Sequence, residues 1–114
     1  MTSTITWTAV GPASHFLIDA GTAVKVGGET IAVFRYGADR WYAVQNRCPH
    51  EGISALSRGL VGDKNGEPKV ACPLHKNAFS LEDGRHLGGN EAWCLKTYPV
   101  RLEHGQVLVG IEET

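Results

Sequence analysis

The chain has 114 residues, enough for one domain and too few for two. A formal net charge of −1 gives no electrostatic reason to expect nucleic acid or an anionic membrane as a partner, and 42% apolar residues suit a protein built on one core. No apolar run approaches the roughly 18 residues needed to span a bilayer, and the first residues, MTSTITWTAV, lack the basic region and apolar stretch of a secretory signal. Three cysteines are an odd number and do not read as a disulfide framework, so the expected compartment is a reducing cytoplasm.

Helical periodicity is scarce and short β-type segments recur. Residues 4–10 alternate in polarity, and residues 12–16 are the one helical candidate, a short turn. Residues 23–26 and 29–36 flank Gly27-Gly28, a two-residue hairpin signal. Residues 40–45 follow Gly37-Ala38-Asp39 and read as the next strand, and residues 59–61 as a short one. Residues 63–67 form a polar turn before a strand at 68–71, and residues 78–81 run into the turn Glu82-Asp83-Gly84. Residues 97–102 and 107–111 flank Glu103-His104-Gly105-Gln106 as a closing hairpin. Short strands separated by turn signals predict an all-β fold, an antiparallel β-sandwich or small barrel in a single domain, 1–114.

Two motifs carry the chemistry: Cys48-Pro49-His50 and Cys72-Pro73-Leu74-His75. Both are too short for helical turns and fall at strand ends, so each is expected at the tip of a loop. The proline after each cysteine fixes φ and removes an N–H donor, which stiffens the loop. Together they offer two sulfur and two nitrogen ligands, Cys48, Cys72, His50 and His75. Two thiolates on one iron and two imidazoles on the other hold a [2Fe-2S] cluster, and the chemistry is then electron transfer. The same ligand types serve structural zinc, although zinc fingers usually group the Cys at one end and the His at the other. A structural module with an empty site is the third alternative. The stretch from about 46 to 87 reads as a small cluster-binding subdomain inserted into the larger β-domain.

The two motifs resemble the Rieske family. A narrower likeness lies in Leu56-Ser57-Arg58-Gly59-Leu60-Val61-Gly62-Asp63, in the run GEPKVACPLHKNAFSLEDGR, and in Lys96-Thr97-Tyr98-Pro99-Val100-Arg101. These segments resemble the small-subunit family of assimilatory NAD(P)H-dependent nitrite reductases. The resemblance implies a Rieske-type β fold, with Cys48, His50, Cys72 and His75 as cluster ligands. It also implies a partner, a large subunit carrying FAD, a four-iron cluster and sirohaem that reduces nitrite to ammonia in nitrate assimilation. This chain would be its electron-transfer or assembly subunit and not catalytic alone. No G-x-G-x-x-G and no further cysteine cluster is present to hold those other cofactors. A free-standing Rieske ferredoxin that donates electrons to an oxygenase is the alternative with the same cluster.

Further expectations attach to single residues. After the second motif the sequence reads Lys76-Asn77-Ala78-Phe79, with no hydroxyl until Ser80, which argues for a potential in the lower part of the Rieske range. The outer nitrogens of His50 and His75, with Leu74 and Pro49 nearby, make a candidate docking face. Lys76, Arg47 and Arg58 are expected as solvated charges. Trp7, Trp41 and Trp93 are expected in core packing, Cys94 as a buried or half-buried thiol, and His15, His86 and His104 at the surface or in turns.

Overall fold

The computed structural model describes residues 4–37, 40–47, 56–64, 66–72, 78–87 and 94–113. The strands are β1 (Thr4–Pro12), β2 (Ala20–Val26), β3 (Glu29–Tyr36), β4 (Arg40–Gln45), β5 (Leu60–Lys64), β6 (Glu67–Ala71), β7 (Ala78–Ser80), β8 (Thr97–Tyr98), β9 (Val100–Glu103) and β10 (Gln106–Glu113). Short 3-10 turns stand at Ala13–His15 and Leu56–Arg58. The strands make antiparallel sheets in the orders β1-β10-β9, β2-β3-β4-β8 and β5-β6-β7.

The β2-β3-β4-β8 sheet is the middle layer because β3 is apolar on both faces. In Ile31-Ala32-Val33-Phe34 every residue is buried, and successive side chains point to opposite sides. Ala32 and Phe34, with Val44 of β4, join Leu56, Val70, Cys72, Phe79, Leu81 and Leu95 in one core. Ile31 and Val33, with Ala43, join Phe16, Val26, Tyr98, Val107 and Val109 in the other. The first core lies against β5-β6-β7 and the second against β1-β10-β9. Burial of such side chains is worth roughly 1.5–3 kcal/mol each, and the two-sided pattern fixes the register of β3 against a one-residue slip.

The turn chemistry follows the sequence. Gly27 and Gly28 both have positive φ, 59° and 86°, the requirement of a primed hairpin turn, and β2 and β3 pair directly across them. His104 and Gly105, at φ 50° and 76°, do the same between β9 and β10. The short turn expected at 12–16 is present at Ala13–His15.

Several strands are longer than their sequence reading, β2 beginning at Ala20 rather than at residue 23, and two segments differ in kind. β5 runs on to Lys64, so the polar segment 63–67 is mostly ladder, with Asp63 opposite Pro68 and Lys64 opposite Glu67. The segment 97–102 is not one strand. Tyr98 pairs with Ala43 in the middle sheet, whereas Val100 pairs with Val109 in the outer one. Pro99 stands between them; lacking an N–H, it cannot continue a ladder, and the chain changes sheets there.

Candidate metal centre

The segments that bear the expected ligands meet the β5-β6-β7 sheet at one end. β5 begins at Leu60, β6 ends at Ala71 and β7 begins at Ala78; Leu60 pairs with Ala71 and Ala71 with Ala78, so the three form a row across that end. The second loop leaves the row at Ala71 and returns at Ala78. The first arrives at it from Leu56–Arg58. Hairpin pairing thus makes the anchors of two sequence-distant loops into neighbours.

Of the four expected ligands, Cys72 is described, and it is 1% exposed at the end of β6, within the Phe34–Phe79 core. Cys48, His50 and His75 lie outside the described residues, as do Pro49, Leu74 and Lys76. A sulfur in such an apolar position suits metal ligation, since a cation offsets the cost of burying a thiolate. The donor set and the convergence of both loop anchors fit the cluster.

The first loop is closed at its foot by Asn46. This residue is 4% exposed. Its carbonyl accepts the Leu56 N–H at 3.0 Å and its Oδ1 accepts the Ser57 N–H at 2.8 Å. Gln45 adds a second brace: its Nε2 donates to the Arg47 carbonyl at 2.7 Å, while its Oε1 accepts the Lys96 N–H at 2.8 Å. Below them, Tyr98 donates its hydroxyl to Glu29 Oε2 at 3.0 Å. Burial, then the hydrogen bond and the negative charge of Glu29, push the Tyr98 phenol up to about 12. Glu29, Gln45, Asn46, Arg47, Lys96 and Tyr98 line a polar hollow of about 460 Å³ beside this foot.

The second loop is braced behind β7. Ser80 is fully buried; its hydroxyl donates to Glu67 Oε2 at 2.8 Å and accepts the Glu82 N–H at 3.2 Å. Arg85 bridges Glu67 at 2.6 Å and Asp83 at 2.7 Å. The Arg85 backbone N–H, above all, holds the Asp83 carboxyl below its usual value. The turn is tied to the segment after 93 at Gly84, where φ is +79° and a β-carbon would stand 2.2 Å from the Leu95 carbonyl oxygen.

Residue by residue, the outcomes vary. Arg47 and Arg58 are exposed, as expected. Trp7 and Trp41 are half-buried; Trp41 meets Phe16 edge-on at 5.6 Å between ring centres, and Arg101 lies 4.4 Å over Trp7. Trp93 lies outside the described residues. His15 and His104 are exposed, but His86 is half-buried, bridging to Phe79 with ring centres 5.3 Å apart. Cys94 is exposed rather than buried: Leu95, 2% exposed, takes the core position, and the alternation of the chain turns its neighbour outward. Sequence reasoning did not single out Asn46, Gln45 or Glu67; the only signal the first two left is a polar residue just before the first motif, and Glu67, at the far end of β6 from Cys72, left none.

A family model described as "Rieske-like [2Fe-2S] domain" matches residues 6–110. The chain is 36% identical over 102 residues to the nitrite reductase (NADH) small subunit of Salmonella typhimurium, covering 89% of this chain and 94% of that protein. It is 39% identical over 107 residues, 94% of its length, to a nitrite reductase [NAD(P)H] large subunit of Klebsiella oxytoca, and spans 11% of that protein's length. The 3-phenylpropionate/cinnamic acid dioxygenase ferredoxin subunit of Shigella flexneri is 33% identical over 97 residues, 84% of this chain and 87% of that one. Among solved structures, Escherichia coli NirD superimposes with a TM-score of 0.86 at 32% identity, covering 95% of this chain and 98% of that chain.

Proposed function

The chain belongs to the Rieske-like [2Fe-2S] domain family, and on that premise we propose that it is the electron-transfer or assembly small subunit of a cytoplasmic NAD(P)H nitrite reductase. When bound, the [2Fe-2S] cluster supplies a one-electron relay. Cys48 and His50 on the first loop, and Cys72 and His75 on the second, hold it. The stretch 46–87 is the cluster-binding subdomain of the single domain. Asn46 and Gln45 fix the first loop, and the Glu67–Ser80–Arg85 network holds the strand after the second. Buried Cys72 keeps one thiolate side of the site away from water.

The observation that carries this reading is the alignment of 94% of the chain with part of a protein named as a nitrite reductase large subunit. A module found within a large subunit in one organism is a natural tight partner of the large subunit in another. The partner proposed here carries FAD, a four-iron cluster and sirohaem, and the nitrite chemistry is its own; the small chain moves electrons or supports assembly. The dioxygenase ferredoxin relative supports a second reading, a mobile carrier serving an oxygenase.

Anaerobically purified protein, reduced with dithionite, is expected to give a Rieske-type EPR signal at about two irons per chain. Pull-down with a candidate large subunit, followed by NAD(P)H-dependent nitrite reduction with and without this chain, separates the readings. Stable association and a gain in turnover support the subunit. A cluster-bearing chain that neither associates nor stimulates, yet reduces an oxygenase, establishes the carrier. Zinc in place of iron overturns both.

A further inference from the structure

Asn46 spends its main chain and its side chain on consecutive amides across the first ligand loop, Leu56 N–H at 3.0 Å and Ser57 N–H at 2.8 Å. The segment 47–55 is thereby closed into a ring. The far side of that ring is in turn fixed against the strand of Cys72. Gly59 donates its N–H to the Leu56 carbonyl at 2.9 Å, and a β-carbon on Gly59 would stand only 2.4 Å from the Ala71 carbonyl oxygen. Ala71 directly precedes Cys72.

We infer that Asn46 is a positioning residue for the cluster: its amide oxygen sets the place of the Cys48–His50 loop relative to Cys72. It acts through the loop and not as a ligand. Metal–ligand distances tolerate a few tenths of an ångström, so a segment that supplies two ligands needs its ends fixed. Asn46 is 4% exposed and its bond to Ser57 is part-buried, so water compensates for the loss of that oxygen only in part. The inference rests on the assignment of Cys48, His50, Cys72 and His75 as ligands.

The test compares the holoprotein with its Asn46→Asp and Asn46→Ala variants. Asp keeps an acceptor oxygen at the same reach; Ala removes it and strands the Ser57 N–H. Two quantities are read: the half-life of the cluster absorbance in the presence of a chelator, and hydrogen–deuterium exchange of a peptide containing Ser57. One hydrogen bond's worth of stability predicts a half-life about fivefold shorter in the Ala variant, with faster exchange at Ser57, and an Asp variant within about twofold of the parent. Exchange in β3 is expected to be unchanged in all three. An Ala variant with the parental half-life, or an Asp variant that loses its cluster as fast as Ala, overturns the inference. If the Ala variant does not fold, the parent protein decides. A Ser57 amide protected like its β3 neighbours supports the brace; one that exchanges like the exposed Gly27-Gly28 turn sinks it. A parent protein without iron refutes the ligand assignment instead, and the Ser57 exchange still reports on the brace.

Discussion

The Tyr98 hydroxyl donates a hydrogen bond to Glu29 Oε2 at 3.0 Å, joining the end of β8 to the start of β3 at the foot of the segment that bears Cys48 and His50. The fold therefore favours the neutral phenol, whose pKa rises from 10.0 to about 12. A raised pKa in the folded state means the stabilisation is complete below about pH 10, the unfolded value, and is lost as pH climbs toward the folded value. Denaturation midpoints should fall between about pH 10 and 12, and the fall should flatten in Tyr98→Phe. The tyrosinate absorbance of Tyr98 should develop only near pH 12. A midpoint slope identical in the Phe variant would contradict the assignment.

Gly59 has no room for a side chain. A β-carbon would meet the Ala71 carbonyl oxygen at 2.4 Å and Val70 Cγ2 at 2.7 Å. The oxygen belongs to the backbone of a central strand and cannot swing away. Gly59→Ala is expected to cost about 1–3 kcal/mol in urea unfolding, as other overpacking substitutions do. By contrast, nothing stands within 4 Å of the corresponding position at Gly28, whose φ of +86° makes its substitution a matter of backbone strain alone.

The Ser80 hydroxyl is fully committed, donating to Glu67 and accepting from Glu82. It is not available to hydrogen-bond a cluster sulfur. The midpoint potential is accordingly expected in the lower part of the Rieske range of roughly −150 to +300 mV. Redox titration of Ser80→Ala should leave that midpoint unmoved while lowering stability, because Glu67 loses a buried partner. A midpoint well above zero, or one that drops in the variant, would show a hydroxyl acting on the cluster.

Phe79 is 0% exposed, opposite Val70 in the ladder and against His86. Phe79→Ala should cost about 3–5 kcal/mol, a large share of the stability of a domain of this size. Chemical denaturation measures it directly. Arg85→Ala, which breaks two half-exposed ion pairs, should leave the midpoint of the same experiment nearly unmoved, because exposed pairs are screened by water and salt.

The parts of the fold with local causes were legible in the sequence. Gly27-Gly28 and His104-Gly105 announce their turns because few residues tolerate positive φ. Residues 29–36 announce a strand, although the burial of Ile31-Ala32-Val33-Phe34 on both faces emerges only from the packing. Pro99 left a signal too, and a strand read straight through it was a reading against that signal. What stayed hidden depends on non-local contacts. Nothing in Asn46 itself reveals that its oxygen meets Ser57, because that pairing exists only once the loop has closed. Cys94 was misjudged for a related reason: which of two adjacent residues enters the core depends on the register of the chain against Gly84, where Leu95 wins the buried place.

β3 serves as the shared wall of two rooms. One room contains Cys72 and residues that anchor the segments bearing the proposed ligands; the other is closed by β1, β9 and β10, and Cys72, the proposed ligand among the described residues, is not part of it. Damage on the metal side need not travel through the wall, since Ile31 and Val33 keep their own companions when Ala32 and Phe34 lose theirs. Such a partition gives the chain one core whose contacts do not depend on its inorganic part.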